Sequence, residues 1–217
     1  MVKIYNEVIF SILRILKGAN NGDLYYDNYL FHLKKYGETF FDVYHLIWAW
    51  VIEHKPKRIL EIGTRTGISI CQLLSAYIDS TIIERIILCD IFSDGFISPE
   101  LVKMNMKHLN IHTDVINKVE FLIGDSKTTI KEFIKKEPDY KFDYILVDGS
   151  HEISDAKQDL ENVKPLVAKG GIILFDDIAP DGMSLDPVWQ EFKGKYKEEF
   201  EWNENYSGKG VAWAIKR

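Results

Sequence analysis

Five short stretches of this sequence place carboxylates, hydroxyls or glycines directly behind apolar, β-branched runs. Glu61-Ile-Gly63-Thr64-Arg65-Thr66-Gly67-Ile-Ser69 comes first, followed by Asp90 and Gly124-Asp125-Ser126. Asp148-Gly149-Ser150-His151 and Asp176-Asp177 complete the set. Ligands of open α/β sheets bind beyond the carboxyl ends of the strands, near the topological switch point, so chemistry gathered at such positions reads as a ligand site. The turn bearing Gly63 and Gly67 has Arg65 where a dinucleotide-binding turn carries a glycine that lets the backbone approach a pyrophosphate. Glu61, just ahead of the turn, repels phosphate. Both features suit a nucleoside that carries a positive centre and no phosphates, and they count against a nucleotide-dependent dehydrogenase. Asp90 can accept hydrogen bonds from both hydroxyls of a ribose, or it is an ordinary helix-entry carboxylate. Asp125-Ser126 can meet the polar edges of adenine, or Ser126 can simply cap the helix that follows.

In this order and spacing the motifs resemble those of the class I S-adenosylmethionine (SAM)-dependent methyltransferases. More narrowly, they are similar to the metal-dependent O-methyltransferases, including catechol O-methyltransferase and the macrolide-sugar O-methyltransferases. The stretch from Val147 to Asp177 is most like the sugar group, which also contains cephalosporin-hydroxylase-like members. The likeness runs from about Arg58 to Ile178. It implies that Glu61, Gly63, Thr64, Gly67 and Ser69 line the methionine side of the cofactor, that Asp90 holds its ribose, and that Asp125 and Ser126 meet its adenine end. It further implies that Asp148, Asp176 and Asp177 bind a divalent cation and that His151 stands at the place of the general base. Catechol enzymes have an amide at the position of Asp177 and a lysine at that of His151, so the departure favours the sugar-type relatives.

Physical chemistry supports such a cation independently. Neighbouring strands lie ~4.8 Å apart, so carboxylates ending adjacent strands can converge on one ion. Three carboxylates with no cysteine or histidine cluster select a hard cation, most simply Mg²⁺. The implied reaction is methyl transfer to a hydroxyl of a small molecule, sugar or phenolic, held in line with the sulfonium methyl. An imidazole, with its ordinary pKa of ~6.5, suits proton removal near neutral pH. Two rival readings place another chemistry, hydroxylase-like or nucleotide-dependent, or a non-catalytic SAM-binding protein on the same scaffold. A binding module has no need of three acids and a base. His32, His45, His54, His108 and His112 lack motif partners and read as surface or packing residues.

These motifs require a particular scaffold. Arg58–Ile62, Arg85–Ile91, Val119–Ile123, Phe142–Val147 and Ile172–Phe175 are short and apolar on both faces, as parallel strands are. Helical stretches separate them: Ile68 onward, Ser98 to about Leu109, Ser126–Lys136 and Ser150–Val167. Alternation of strand and helix predicts a Rossmann-like, doubly wound α/β fold. After a helix around Leu185–Tyr196, Glu199–Trp202 and Val211–Ile215 predict an antiparallel pair at one edge, giving a mostly parallel seven-stranded sheet. Residues 1–56 read as a helical cap on the same domain, with 57–217 as the SAM-binding part. The cap carries Tyr25, Tyr26, Phe40, Phe41, Tyr44, Trp48 and Trp50, which read mainly as helix packing. Part of that set, with the loop from Ala179 to Pro187, could close over the acceptor.

Composition sets the outer bounds. A chain of 217 residues with 46% hydrophobic and 28% charged residues is long and apolar enough for one core, which excludes disorder and coiled coil. A net charge of −6 argues against a general nucleic-acid binder. Cys71 and Cys89 sit in apolar periodic segments and read as buried, reduced thiols of a cytoplasmic protein. The apolar run Val8–Leu16 is broken by Arg14 and reads as an amphipathic helix rather than a leader, and no run is long enough for a bilayer. Association into a homo-oligomer is compatible with all of this.

Overall fold

The computed structural model describes residues 54–75, 77, 80–92, 97–180, 184–206 and 209–217. The expected cap helices and their aromatic residues fall within 1–53 and lie outside the described residues. The remainder is a seven-stranded sheet in the order β3-β2-β1-β4-β5-β7-β6. The strands are β1 (Arg58–Ile62), β2 (Arg85–Asp90), β3 (Val119–Ile123), β4 (Phe142–Val147), β5 (Val167–Asp176), β6 (Phe200–Asn205) and β7 (Val211–Lys216). The helices are α1 (Ile68–Ser75), α2 (Pro99–His108), α3 (Thr113–Ile116), α4 (Ser126–Lys136), α5 (Ile153–Val163) and α6 (Asp186–Lys195). The first five strands are parallel. β7 runs antiparallel between β5 and β6, as the spacing of the tail predicts. Strand order reverses between β1 and β4, so the switch point opens above Gly63 and Asp148.

Period-two alternation sends side chains to both faces, and helices cover each of them. On one face Leu60, Ile62, Ile87, Ile145, Val147, Ile173 and Phe175 pack against Ile130 and Phe133 of α4, Leu160 of α5 and Trp189 of α6. On the other, Ile59, Ile86, Leu88, Tyr144, Leu146 and Leu174 meet Ile70, Leu73 and Leu74 of α1 and Val102 and Met106 of α2. Glu61 shares the parity of Ile59 and therefore faces α1. Cys71 and Cys89 are buried and free. Among the described residues, no helix is long and apolar enough to cross a membrane.

Several boundaries differ from the sequence expectation, among them β6, which runs over Phe200–Asn205 and not Glu199–Trp202. The helix after β4 begins at Ile153, leaving 148–152 as a loop, and it ends at Val163. Pro165, which has no N–H to donate, lies in a 3₁₀ turn over Lys164–Leu166. β5 starts at Val167, and Gly170-Gly171 form an irregularity inside the strand where its register against β4 shifts, not a turn ahead of it. The short helix α3 and a 3₁₀ turn at Ser80–Ile82 have too few residues to show a period and were not anticipated.

Backbone hydrogen bonds lock the carboxyl ends of the strands together. Gly63 N–H donates to Cys89 O (2.9 Å), Asp148 N–H to Ile62 O (2.9 Å) and Gly124 N–H to Asp90 O (2.9 Å). Gly63 has φ +87°, and a Cβ there would lie 1.7 Å from the carbonyl oxygen of Asp148. Gly63→Ala should therefore cost about 1–3 kcal/mol for the left-handed backbone and a further amount of about 1–3 kcal/mol for the clash. Urea unfolding of the variant against the wild type measures it, and a loss below about 1 kcal/mol would show that the turn relaxes freely.

Candidate active site

The turn between β1 and α1 closes through Gly67 N–H to Thr64 O (2.8 Å). Arg65 at its apex has φ +47°, and its N–H donates to Asp90 Oδ2 at 2.7 Å. Asp90 Oδ1 accepts from Phe92 N–H at 3.0 Å. Asp90 thus fixes the turn and its own loop, and the remaining lone pairs of its carboxylate stay available to a ligand. Glu61 is 2% exposed, and Ser69 Oγ donates to its Oε1 at 3.0 Å. Burial pushes its carboxyl up to about 8, against the Ser69 hydrogen bond and with a further push from Asp90. A buried acid with so few partners is a place for a cation. Thr64 Oγ1, buried beside it in the chain, makes no hydrogen bond.

Asp125, not Ser126, caps α4: its Oδ1 accepts from Lys127 N–H at 2.8 Å. Asp125 remains exposed and keeps Oδ2 3.5 Å from Lys127 Nζ, while Ser126 occupies the first helical position. Two apolar side chains missing from the sequence reading frame this end of the sheet. Ile91, just after β2, is 60% exposed, and Ile123, at the end of β3, is 61% exposed. Isolated exposed isoleucines are ordinary. A pair on the rim beside Asp90 and Asp125 suits the faces of a flat aromatic base. In the sequence they were hidden as the last members of apolar runs. Asp159 was missed as well. It is 1% exposed, neither oxygen finds a hydrogen bond, and a Cβ on Gly149 would stand 3.3 Å from its Oδ2. Burial raises its carboxyl to about 6. Its place on the apolar stripe Ala156, Leu160, Val163 was the available signal.

The acids after β4 and β5 converge. One ligand atom from each of Asp148, His151 and Asp177 lies within 4.8 Å of the others. His151 Nε2 is 2.7 Å from Asp177 Oδ2, and Lys209 Nζ is 3.1 Å from Asp177 Oδ1. Asp177 is 8% exposed and has φ +62°, a conformation that aspartate tolerates better than most residues. Its carbonyl accepts from Leu185 N–H at 2.9 Å. Asp176 Oδ1 is buried without a hydrogen bond. Burial and then the Asp177 charge lift the Asp176 carboxyl to about 7, with Lys209 acting in the other direction. Asp148 is raised by lost hydration and by Asp176 and Asp177, while Lys209 opposes the shift.

The donors fit the two groups that the sequence implies. The structure brings together the carboxylates of Asp148 and Asp177 and the imidazole of His151, without Asp176 among them. This oxygen-rich group, with the orphaned Asp176 oxygen at the neighbouring chain position, suits a hard divalent ion. The buried carboxylate of Glu61, the orphaned Thr64 hydroxyl and the two apolar rim residues match a cationic nucleoside. Asp148, Asp176, Asp177 and His151 gather at one side of the switch point, while Glu61, Gly63, Thr64, Gly67, Ser69 and Asp90 surround the first turn. Asp125 and Ser126 stand at the far end. Lys209 carried no motif and could not be assigned from sequence. Of the remaining histidines, His112 Nδ1 accepts from Asp114 N–H at the start of α3, a capping role.

Comparison with known proteins identifies the family. A family model described as a methyltransferase domain matches residues 60–178, more than half of the chain. No curated protein matches. Among solved structures, the O-methyltransferase TomG from Streptomyces achromogenes, involved in tomaymycin synthesis and in complex with SAM, superposes with a TM-score of 0.62 at 18% identity. That superposition covers 91% of this chain and 96% of TomG. An O-methyltransferase from Bacillus cereus in complex with SAH gives 0.60 at 16% identity over 80% of each chain. A SAH-bound methyltransferase from Podospora anserina gives 0.58 at 18% identity, covering 80% of this chain and 77% of that one. With the family model running from within β1 past the end of β5, and the sheet order of the class I methyltransferase fold around it, this chain belongs to the methyltransferase-domain family.

Proposed function

We propose that this methyltransferase acts on a hydroxyl oxygen of a small molecule, sugar or phenolic in type, with a divalent cation, most simply Mg²⁺, held by Asp148, Asp176 and Asp177. The observation that carries the reading is the His151–Asp177 pair, 2.7 Å apart, at the edge of the converging acids. Bound at these positions, SAM supplies an electrophilic methyl group and the divalent ion a positive charge that favours ionisation of the acceptor hydroxyl.

The chain's own residues do the rest. Glu61 balances the positive charge of the cofactor, and Asp90, Asp125 and Ser126 orient its nucleoside part. When Asp177 Oδ2 accepts the Nε2–H of His151, the Nδ1 atom is left as the basic nitrogen. His151 then takes the acceptor proton at Nδ1, and Asp177 stabilises the imidazolium so formed. Its side chain is 38% exposed, enough for an incoming hydroxyl to reach it. The buried free thiols suit a reducing compartment, and we place the enzyme in the cytoplasm.

Purified protein incubated with SAM and panels of sugar and phenolic acceptors tests the reading. Methyl ethers should form with Mg²⁺ and vanish with a chelator. Transfer that is indifferent to the chelator would remove the metal from the account, and transfer confined to nitrogen or carbon acceptors would overturn the hydroxyl. Asp148→Ala should abolish metal-stimulated transfer while SAM affinity, read by calorimetry, changes less than about 3-fold, because the Asp148 carboxylate belongs to the cation group although its backbone adjoins Gly63. Equal loss of both would make Asp148 a structural residue.

A further inference from the structure

The chain itself places a positive charge where the proposed divalent ion would bind. β5 and β7 pair as far as Asp176 opposite Val211, and two further backbone bonds prolong that ladder. Ile178 N–H donates to Gly210 O (3.3 Å) and Ala179 N–H to Lys209 O (2.7 Å). Gly210 has φ +76°, and a Cβ there would lie 2.5 Å from Ala179 N, so the two segments run in backbone contact. Lys209 is thereby registered opposite the acid pair, with Nζ 3.1 Å from Asp177 Oδ1. The other oxygen of Asp177 is taken by His151. Among the described residues, Lys209 and His151 are the basic side chains within ion-pair distance of Asp177.

We propose that Lys209 is the internal counter-ion of the Asp148–Asp176–Asp177 cluster, and that a divalent ion entering the cluster displaces its ammonium from Asp177. Lys209 thereby sets the metal affinity of the enzyme. This inference rests on the metal reading of the site. Crowded carboxylates repel one another unless a cation stands among them, and in the free protein the ammonium does so. An ammonium is a point charge with three donors on a flexible stem, so it can leave without moving the backbone that anchors it. A dication and an ammonium at contact distance on one carboxylate oxygen repel each other, so each weakens the hold of the other there. Occupancy of the site by one therefore disfavours the other at Asp177 Oδ1, and Lys209 acts as a positioning residue for the acids, not a catalytic one.

Mg²⁺ titration calorimetry on the full chain, comparing wild type with Lys209→Met and Lys209→Arg, tests the proposal. Lys209→Met should bind Mg²⁺ about 10-fold tighter, since a competing charge is gone. Lys209→Arg should stay within about 3-fold of the wild type, since its charge is kept. Tightened binding is something that structural damage does not produce. In wild type, Mg²⁺ should also speed acylation of Lys209, read by mass spectrometry, while that of Lys195 is unchanged. Equal or weaker Mg²⁺ binding by Lys209→Met overturns the proposal, as does acylation that ignores Mg²⁺. Should Lys209→Met fail to fold, Lys209→Gln makes the same comparison. If neither Mg²⁺ nor Mn²⁺ binds wild type or variants while SAM still does, the metal reading falls and this inference with it. If metal binds all of them equally, only the role of Lys209 falls.

Discussion

Replacing His151 with alanine should lower kcat by about 10²- to 10³-fold, within the range that a positioned general base contributes. Mg²⁺ affinity and the KM for SAM should hardly change. The expectation rests on the orientation of the ring. Asp177 Oδ2 lies 2.7 Å from Nε2, so a carboxylate fixes one nitrogen while the other faces outward. The same geometry allows a competing role, because His151 also stands among the groups whose ligand atoms lie within 4.8 Å of one another. The two roles separate in one experiment. If His151 is a ligand, its removal weakens Mg²⁺ binding in step with turnover. If it is the base, calorimetry shows metal binding retained while single-turnover transfer collapses. Asp177→Asn sharpens the comparison: the amide can still accept from Nε2–H but no longer carries the charge that stabilises an imidazolium. It should lower kcat by about 10-fold, the order expected for loss of a charge-assisted hydrogen bond, and it should also release Lys209.

The sheet was readable because parallel strands buried on both faces leave unbroken apolar runs. β1, β3, β4 and helix α4 have the bounds that the sequence pattern predicts. The turns were readable because glycine and acid stand at fixed offsets behind those runs. What failed to show was whatever depends on contacts between distant segments. Gly170-Gly171 looks like a turn until the shifted register of β5 against β4 makes it a bulge. Lys209 is an ordinary loop lysine until the β5–β7 ladder brings it to Asp177. Asp159 shares the apolar stripe of its helix, yet that it lies near Gly149 shows only once α5 packs on the sheet. Asp125 and Ser126 were joined as one motif, yet the capping geometry gives them different tasks, because the cap needs an acceptor one position ahead of the first helical residue. Local pattern therefore reports where strands end and turns form, whereas the electrostatic partners of the candidate site belong to the tertiary fold.

Glu61→Gln should weaken SAM binding by about 10- to 100-fold, the effect of losing a hydrogen bond or contact made by a charged group in a buried place. Its more telling consequence is in the pH dependence. In the free protein the Glu61 carboxyl is raised from 4.5 to about 8 by burial, so the folded state holds a proton that the unfolded chain releases between these values. Stability then falls as pH rises from 4.5 to 8, by at most about 1.4 kcal/mol per pH unit from this one group, and levels off above 8. Asp176, raised to about 7, and Asp159, raised to about 6, act in the same direction, so the informative quantity is the difference between wild type and variant. Urea unfolding from pH 5 to 8 should show a shallower decline for Glu61→Gln than for wild type. SAM binding should show the mirror image. A cation favours the ionised carboxylate, so wild-type affinity should climb with pH up to about 8 as the bound ligand expels the proton, a slope that the glutamine variant lacks. Calorimetry in buffers of different ionisation enthalpy counts that proton directly. Release of a proton by wild type and of none by Glu61→Gln at pH 7 is the expected pair of results; identical proton counts would show that Glu61 does not face the cofactor's positive charge.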